Sequence, residues 1–146
     1  MSRNIERFSD PIRSMPDFLA TEQTVPANTN VDGNGGAQLI GNLQGALEVE
    51  VASAADMTLA ATKTFTAKLL GSETADGEYT DITSASITAA SASSTLVVSG
   101  DPILRLSVPS EAPLGADTFK WVKINFATDD AAATGKISAY PAYLGR

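Results

Sequence analysis

The stretch Phe119-Lys120-Trp121-Val122-Lys123-Ile124-Asn125-Phe126 constrains the fold of this chain more than any other. It holds the only Trp and two of the five Phe. Side chains on a strand alternate between faces, so Val122, Ile124 and Phe126 share one side and Phe119 and Trp121 the other. Large apolar groups on both sides mark a strand at the centre of a sheet, covered twice. Pro109 and Pro113 punctuate the loop before it, and Asp129-Asp130 the turn after it. The expectation is an inner strand of a β-sandwich with Trp121 in the core.

The same period-two pattern recurs in shorter form. Leu47, Val49 and Val51 alternate with Ala46, Glu48 and Glu50, and Phe65, Ala67 and Leu69 with Thr64, Thr66 and Lys68. Leu104, Leu106 and Val108 oppose Ile103, Arg105 and Ser107. Arg105 is a cation in a strongly apolar strand, so it belongs at an edge or beside an acid. Lys136 to Tyr140 reads as the last strand, ended by Pro141. Weaker candidates are Gln38–Ile40, Met57 with Leu59, Glu78–Ile82 around a half-buried Tyr79, and Thr95–Ser99. Ser84 to Ser94 has Ile87 as its only large apolar residue and reads as an exposed strand or loop. A tally of about eight short strands without intervening helical patterns predicts an all-β chain. A jelly-roll-like antiparallel sandwich is the first architecture and an immunoglobulin-like sandwich the second. The expected core is Val49, Phe65, Leu106, Trp121, Ile124 and Phe126.

Residues 1–30 differ from the rest and are expected to form an extended N-terminal arm, leaving 31–146 as the sandwich domain. Pro11, Pro16 and Pro26 prevent a long helix. Ile5, Phe8, Ile12, Met15, Phe18 and Leu19 are apolar yet belong to no regular pattern, so they need a surface to lie on. That surface is either the chain's own domain or a neighbouring subunit. The arm reading makes Arg3, Ile5, Arg7, Phe8, Ile12, Arg13, Phe18 and Leu19 partner-binding residues. The following Asp32-Gly33-Asn34-Gly35-Gly36 has a calcium-loop flavour but lacks the remaining acidic ligands and the closing Glu. It is expected to be a turn, in which Gly and Asn supply positive φ.

A chain of 146 residues is one domain on length alone. Its formal net charge of −7, with no compensating basic cluster, argues against nucleic acid as a partner. Between Arg13 and Lys63 there is no Lys or Arg, while Asp17, Glu22, Asp32, Glu48, Glu50 and Asp56 fall inside. Solubility or a cationic partner surface would each account for that. The absence of His and Cys removes disulfides, Ser-His-Asp and Cys-His catalysis, and zinc sites built on those residues. Glu48 and Glu50 share a face and could suggest acid–base chemistry, but a solvated or partner-facing sheet surface is the better reading. No apolar run suits a secretory leader or a membrane span. The expectation is a soluble protein without enzyme activity, cofactor, metal or membrane partner.

Three blocks of the C-terminal half carry a resemblance. They are Ile103-Leu104-Arg105-Leu106-Ser107-Val108-Pro109-Ser110, then Phe119 to Phe126, then Gly135-Lys136-Ile137-Ser138-Ala139-Tyr140. This order of strand, Pro-loop, aromatic strand, Gly-hairpin and strand resembles tailed-bacteriophage capsid cement (decoration) proteins of the Bordetella-phage type. The opening Ser2-Arg3-Asn4 to Pro11-Ile12-Arg13 is similar to the arm with which such proteins begin. The resemblance implies a jelly roll that binds the outside of an assembled shell and clamps adjacent major capsid subunits. It further implies a homo-oligomer, dimer or trimer, made in the host cytoplasm and located on the virion, with no catalytic residues. Similar orders occur in phage tail and fibre proteins, so an adhesion module is the alternative. A carbohydrate-binding or glycosidase sandwich is the third.

Overall fold

A computed structural model describes residues 18–39, 48–90, 94–107 and 119–142, and every regular element among them is a β-strand. Two antiparallel sheets pack face to face. Sheet I holds β1 (Ala20–Thr24), β10 (Thr134–Ala142), β4 (Glu48–Leu59), β7 (Ser94–Val97) and β8 (Pro102–Ser107). Sheet II holds β2 (Asn30–Asp32), β3 (Gln38–Leu39), β9 (Trp121–Thr128), β5 (Thr64–Ser72) and β6 (Thr80–Thr88). The expected all-β sandwich is thus what the chain forms.

Each sheet has one edge strand broken in the middle. β8 pairs with Glu48–Ala52 of β4 and β7 with its Met57–Leu59 end, so residues 94–107 run antiparallel along β4 with one excursion between them. That excursion is stitched to the irregular centre of β4. Gly100 N–H donates to Ser53 O at 2.7 Å, and Ser99 N–H to Asp56 Oδ1 at 2.8 Å. β2 and β3 likewise share β9, with Gly33–Gly36 looping out between them. Such breaks blunt an edge that would otherwise offer a row of unpaired backbone groups. If each broken strand is counted once, sheet I takes chain positions 1-8-3-6 and sheet II 2-7-4-5.

The core lies between the sheets and follows the period-two pattern. Val49, Val51, Phe65, Ala67, Leu69, Leu106, Val122, Ile124, Phe126, Ile137 and Ala139 are all buried. Phe65 and Phe126 stack with centroids 5.9 Å apart. Each Val, Leu, Ile or Phe among them, fully buried, contributes about 1.5–3 kcal/mol. Gly71 occupies an inward position on β5, where a Cβ would lie 2.7 Å from the Phe119 ring. Phe119 therefore fills the space that a side chain at 71 would take.

Two expectations need correction. Trp121 is half-buried and points away from the core, because its side of β9 continues with Lys123 and Asn125 rather than with apolar groups. One aromatic at a strand end does not give a strand a second covered face. The boundary at residue 30 also fails for the described residues 18–30. Leu19 is fully buried, Ala20 pairs with Ala139, and Asn30 pairs with Ala127. The sequence hides this because β1 and β2 are short and polar, and are recruited through their backbones. Leu19 N–H donates to Ala139 O at 2.9 Å, and Leu19 O accepts from Gly35 N–H at 3.0 Å. Asn34 completes the tie, accepting from Thr21 N–H and donating to Thr21 O at 2.7 and 2.8 Å. Leu19 thus belongs to the core rather than to a partner-binding arm. Arg3, Ile5, Arg7, Phe8, Ile12 and Arg13 lie outside the described residues.

Where the chain crosses between sheets, two acids hold two neighbouring corners. Asp130 Oδ2 accepts from Ala60 N–H at 2.7 Å, its Oδ1 accepts from Ala132 N–H at 2.9 Å, and Asp129 Oδ1 accepts from Thr64 N–H at 2.7 Å. The Asp129-Asp130 turn therefore caps its own corner and the β4–β5 corner together. Donation from Ala60, then from Ala132, outweighs partial burial and holds the Asp130 carboxyl below its ordinary value.

Candidate functional site

The outward positions of the two sheets form the surfaces on which function must act. On sheet I, pleat alternation places Glu48 and Glu50 of β4, Arg105 and Ser107 of β8, and Ser138 and Tyr140 of β10 on the outside. Arg105 bridges both glutamates, Nη1 to Glu48 Oε2 at 3.3 Å and Nη2 to Glu50 Oε2 at 3.5 Å. The expected acid beside Arg105 is thus a pair of acids. Tyr140 Oη donates to Glu50 Oε1 at 2.7 Å, and Phe18 lies against the Tyr140 ring at 5.1 Å between centroids. Glu50 is 8% exposed and Tyr140 4%. A buried carboxyl needs hydrogen-bonding partners, and Tyr140 and Arg105 are among those Glu50 has.

On sheet II the outward positions form a polar ladder. Asp32 accepts from Lys123 Nζ at 2.9 Å and from Asn125 Nδ2 at 2.8 Å, and Asn125 Nδ2 also reaches Asn30 Oδ1 at 3.3 Å. Burial pushes the Asp32 carboxyl up, but the Asn125 bond and the bond and charge of Lys123 outweigh it and leave it below the ordinary value. Lys123 Nζ sits 4.3 Å from the Tyr79 ring centroid, and Tyr79 Oη donates to Ala75 O at 2.6 Å. Burial raises the Tyr79 phenol above its ordinary value, more than Lys123 lowers it. Tyr79 is half-buried as expected but precedes β6 instead of lying in a strand. Lys68 and Asp81 pair at 3.4 Å further along. The half-buried Trp121 and the exposed Leu39 end the ladder.

A cleft of about 290 Å³ opens at the same end of sheet II, lined by Gly71, Ser72, Glu73, Thr74, Gly77 and Phe119 among others. The Asp32–Gly36 segment is the expected turn, and the Asp32 oxygens are occupied by Lys123 and Asn125.

Of the residues singled out from sequence, the structure gathers Glu48, Glu50, Arg105 and Phe18 on one face. Tyr140 and the Asp32–Asn125–Lys123 ladder were not singled out as surface groups. Strand parity would have found them, since Tyr140 alternates with the buried Ala139, and Lys123 and Asn125 alternate with Val122, Ile124 and Phe126. Comparison of the chain with protein-family models, with curated proteins and with solved structures finds no match.

Proposed function

We propose that this chain is a phage capsid decoration protein, an arm-bearing jelly roll that binds the outer surface of an assembled shell. It clamps adjacent major capsid subunits and acts there as a homo-oligomer. The strand order 1-8-3-6 facing 2-7-4-5 supports the jelly-roll reading. The observation that carries the functional reading is the anchorage at residues 18–24. Leu19 is sealed in the core, β1 is hydrogen-bonded along β10, and Phe18 rests on Tyr140 of the outer face. A segment attached this way transmits load into both sheets, as a clamp requires. The resemblance of the C-terminal strands and of residues 2–13 to cement proteins supplies the shell as target. Virion location follows from that target, with synthesis in the host cytoplasm.

The test adds the purified full chain to shells of the encoding phage that lack it. Saturable cosedimentation and density at repeated sites on the shell are expected. Binding to tails alone, or none, overturns the proposal. A specific observation favours the adhesion reading second: Tyr79 and Trp121 stand half-exposed beside the Asn30–Asp32–Asn125 ladder, a combination suited to a sugar ring. A positive glycan-binding screen, lost in Tyr79→Ala, would support that reading.

A further inference from the structure

β1 and the β2–β3 loop meet along one edge of the sandwich, and side-chain amides hold them together. The β1–β10 register slips between Ala20 and Gln23, and Glu22 takes a φ of 44° there. At that slip the backbone of Thr21 is bonded by Asn34. Asn34 Oδ1 accepts from Thr21 N–H at 2.7 Å, and its Nδ2 donates to Thr21 O at 2.8 Å. Gln23 answers from the other strand, its Nε2 donating to Asp32 O at 2.8 Å and its Oε1 accepting from Asn34 N–H at 2.7 Å. Each amide uses donor and acceptor at once, which a carboxylate, an acceptor only, cannot do. Of the two, Asn34 is followed by glycine, and Asn34-Gly35 is the one Asn-Gly pair in the chain. Without a side chain on the following residue, its nitrogen approaches the asparagine amide carbon freely.

We infer that Asn34 is a deamidation site gated by β1, and that the reaction works as a one-way latch. The Gly35 nitrogen gives up its proton to solvent base and attacks Asn34 Cγ. The N–Cγ bond forms, the Cγ–Nδ2 bond breaks, and ammonia leaves. Water then opens the succinimide ring at either carbonyl, leaving aspartate or isoaspartate at position 34.

With β1 in place this chemistry is restrained. Gly35 N–H donates to Leu19 O at 3.0 Å, so its proton is engaged. A Cβ at Gly35 would lie 2.1 Å from Phe18 O, so the root of β1 lies directly against this residue. Both polar atoms of the Asn34 amide are held by Thr21, which restrains its rotation. Lifting β1 releases all of these together, and Asn34 is already exposed to water. After conversion to aspartate, the oxygen that replaces Nδ2 faces Thr21 O, two acceptors where a hydrogen bond stood. Isoaspartate lengthens the main chain by one carbon and shifts Gly35 N–H away from Leu19 O. Either product disfavours the return of β1. The inference is independent of the decoration reading.

The full chain is incubated at mildly alkaline pH below its Tm, folded and in urea, and deamidation at Asn34 is followed by peptide mass spectrometry. The folded chain is expected to react many-fold more slowly. Gln23→Ala removes the second amide but keeps the Asn-Gly pair, so it should speed the folded-state reaction several-fold. Ser138→Ala, which takes the acceptor from Glu22 N–H, loosens β1 by a second route and should do the same. In Asn34→Asp, hydrogen exchange at the Leu19 and Gly35 amides should quicken several-fold while the β5 amides stay unchanged. Equal rates in the folded and urea-unfolded chains would overturn the gating. Unchanged rates in both loosening variants would overturn β1 as the gate. Exchange in Asn34→Asp equal to that of the unaltered chain would overturn the latch.

Discussion

The two outer faces of this sandwich start from the same design and end differently. Both set charged groups at outward positions of an inner strand, Glu48 and Glu50 on β4 and Lys123 on β9, and pair them with a group on the neighbouring strand, Arg105 of β8 and Asp32 of β2. On sheet II the Asp32 side chain is 51% exposed, and its ladder is wet. On sheet I, Glu50 and Tyr140 are nearly inaccessible. The difference teaches what an ion pair is for. A wet pair contributes ~0–1 kcal/mol and mainly sets surface chemistry. In a buried position an unmade bond costs the full desolvation of its group, so Tyr140 and Glu50 must stay connected.

The sharpest contrast lies within β9. Phe126→Ala should destabilise by ~3–5 kcal/mol, because a buried aromatic leaves both a transfer loss and a cavity. Trp121→Ala, five residues earlier on the outward side, should cost only roughly 1–2 kcal/mol, in line with partial burial. Urea denaturation of the two variants measures this, and equal losses would place Trp121 in the core after all. Leu19→Ala should cost about 2–5 kcal/mol, the range for a buried aliphatic residue. A near-neutral result would return Leu19 to a detachable arm.

Between the faces, Tyr140→Phe should cost about 1–2 kcal/mol by removing a donor from a buried carboxylate. Asn125→Ala on the wet ladder should cost at most ~0.5–1 kcal/mol. If thermal denaturation reverses that order, the faces have been assigned the wrong way round.

The smallest effect is expected with pH. The folded-state carboxyls of Asp130 and Asp32 are both held below their ordinary value. Their stabilisation is fully present above that value and is lost as pH falls through their lowered folded-state values. Asp130→Asn retains one acceptor oxygen for two backbone donors, so it should lower Tm at neutral pH and flatten the acid limb below pH ~4. An unchanged limb would show that the corner bonds do not require the charge.

Much of the core could be read from the chain because inward residues are large and alternate strictly, as at Val49, Val51, Phe65, Leu69, Ile124 and Phe126. What escaped had physical reasons. β1 and β2 carry Thr, Glu, Gln, Asn and Asp, and their membership rests on backbone bonds and on the Asn34 tie, which leave no hydrophobic period. β4 runs through Ala52-Ser53-Ala54-Ala55-Asp56, where irregular pairing breaks the alternation and small residues hide the strand. β6 is one strand from Thr80 to Thr88, although its serines and alanines read as low complexity. Of the outer surfaces, Arg105 with Glu48 and Glu50 was legible as charge in an apolar strand. The burial of Glu50 was not, because burial of an outward residue is a property of the packed molecule.

The difference between the two outer faces is tested most directly by hydroxyl-radical footprinting of the intact chain, read at two tyrosines of equal intrinsic reactivity. Tyr79 lies half-buried on the open ladder and Tyr140 is 4% exposed on sheet I. The account predicts oxidation of Tyr79 several-fold faster than of Tyr140. Equal rates, or faster oxidation of Tyr140, would show that Tyr140 is not shielded on sheet I and would contradict it.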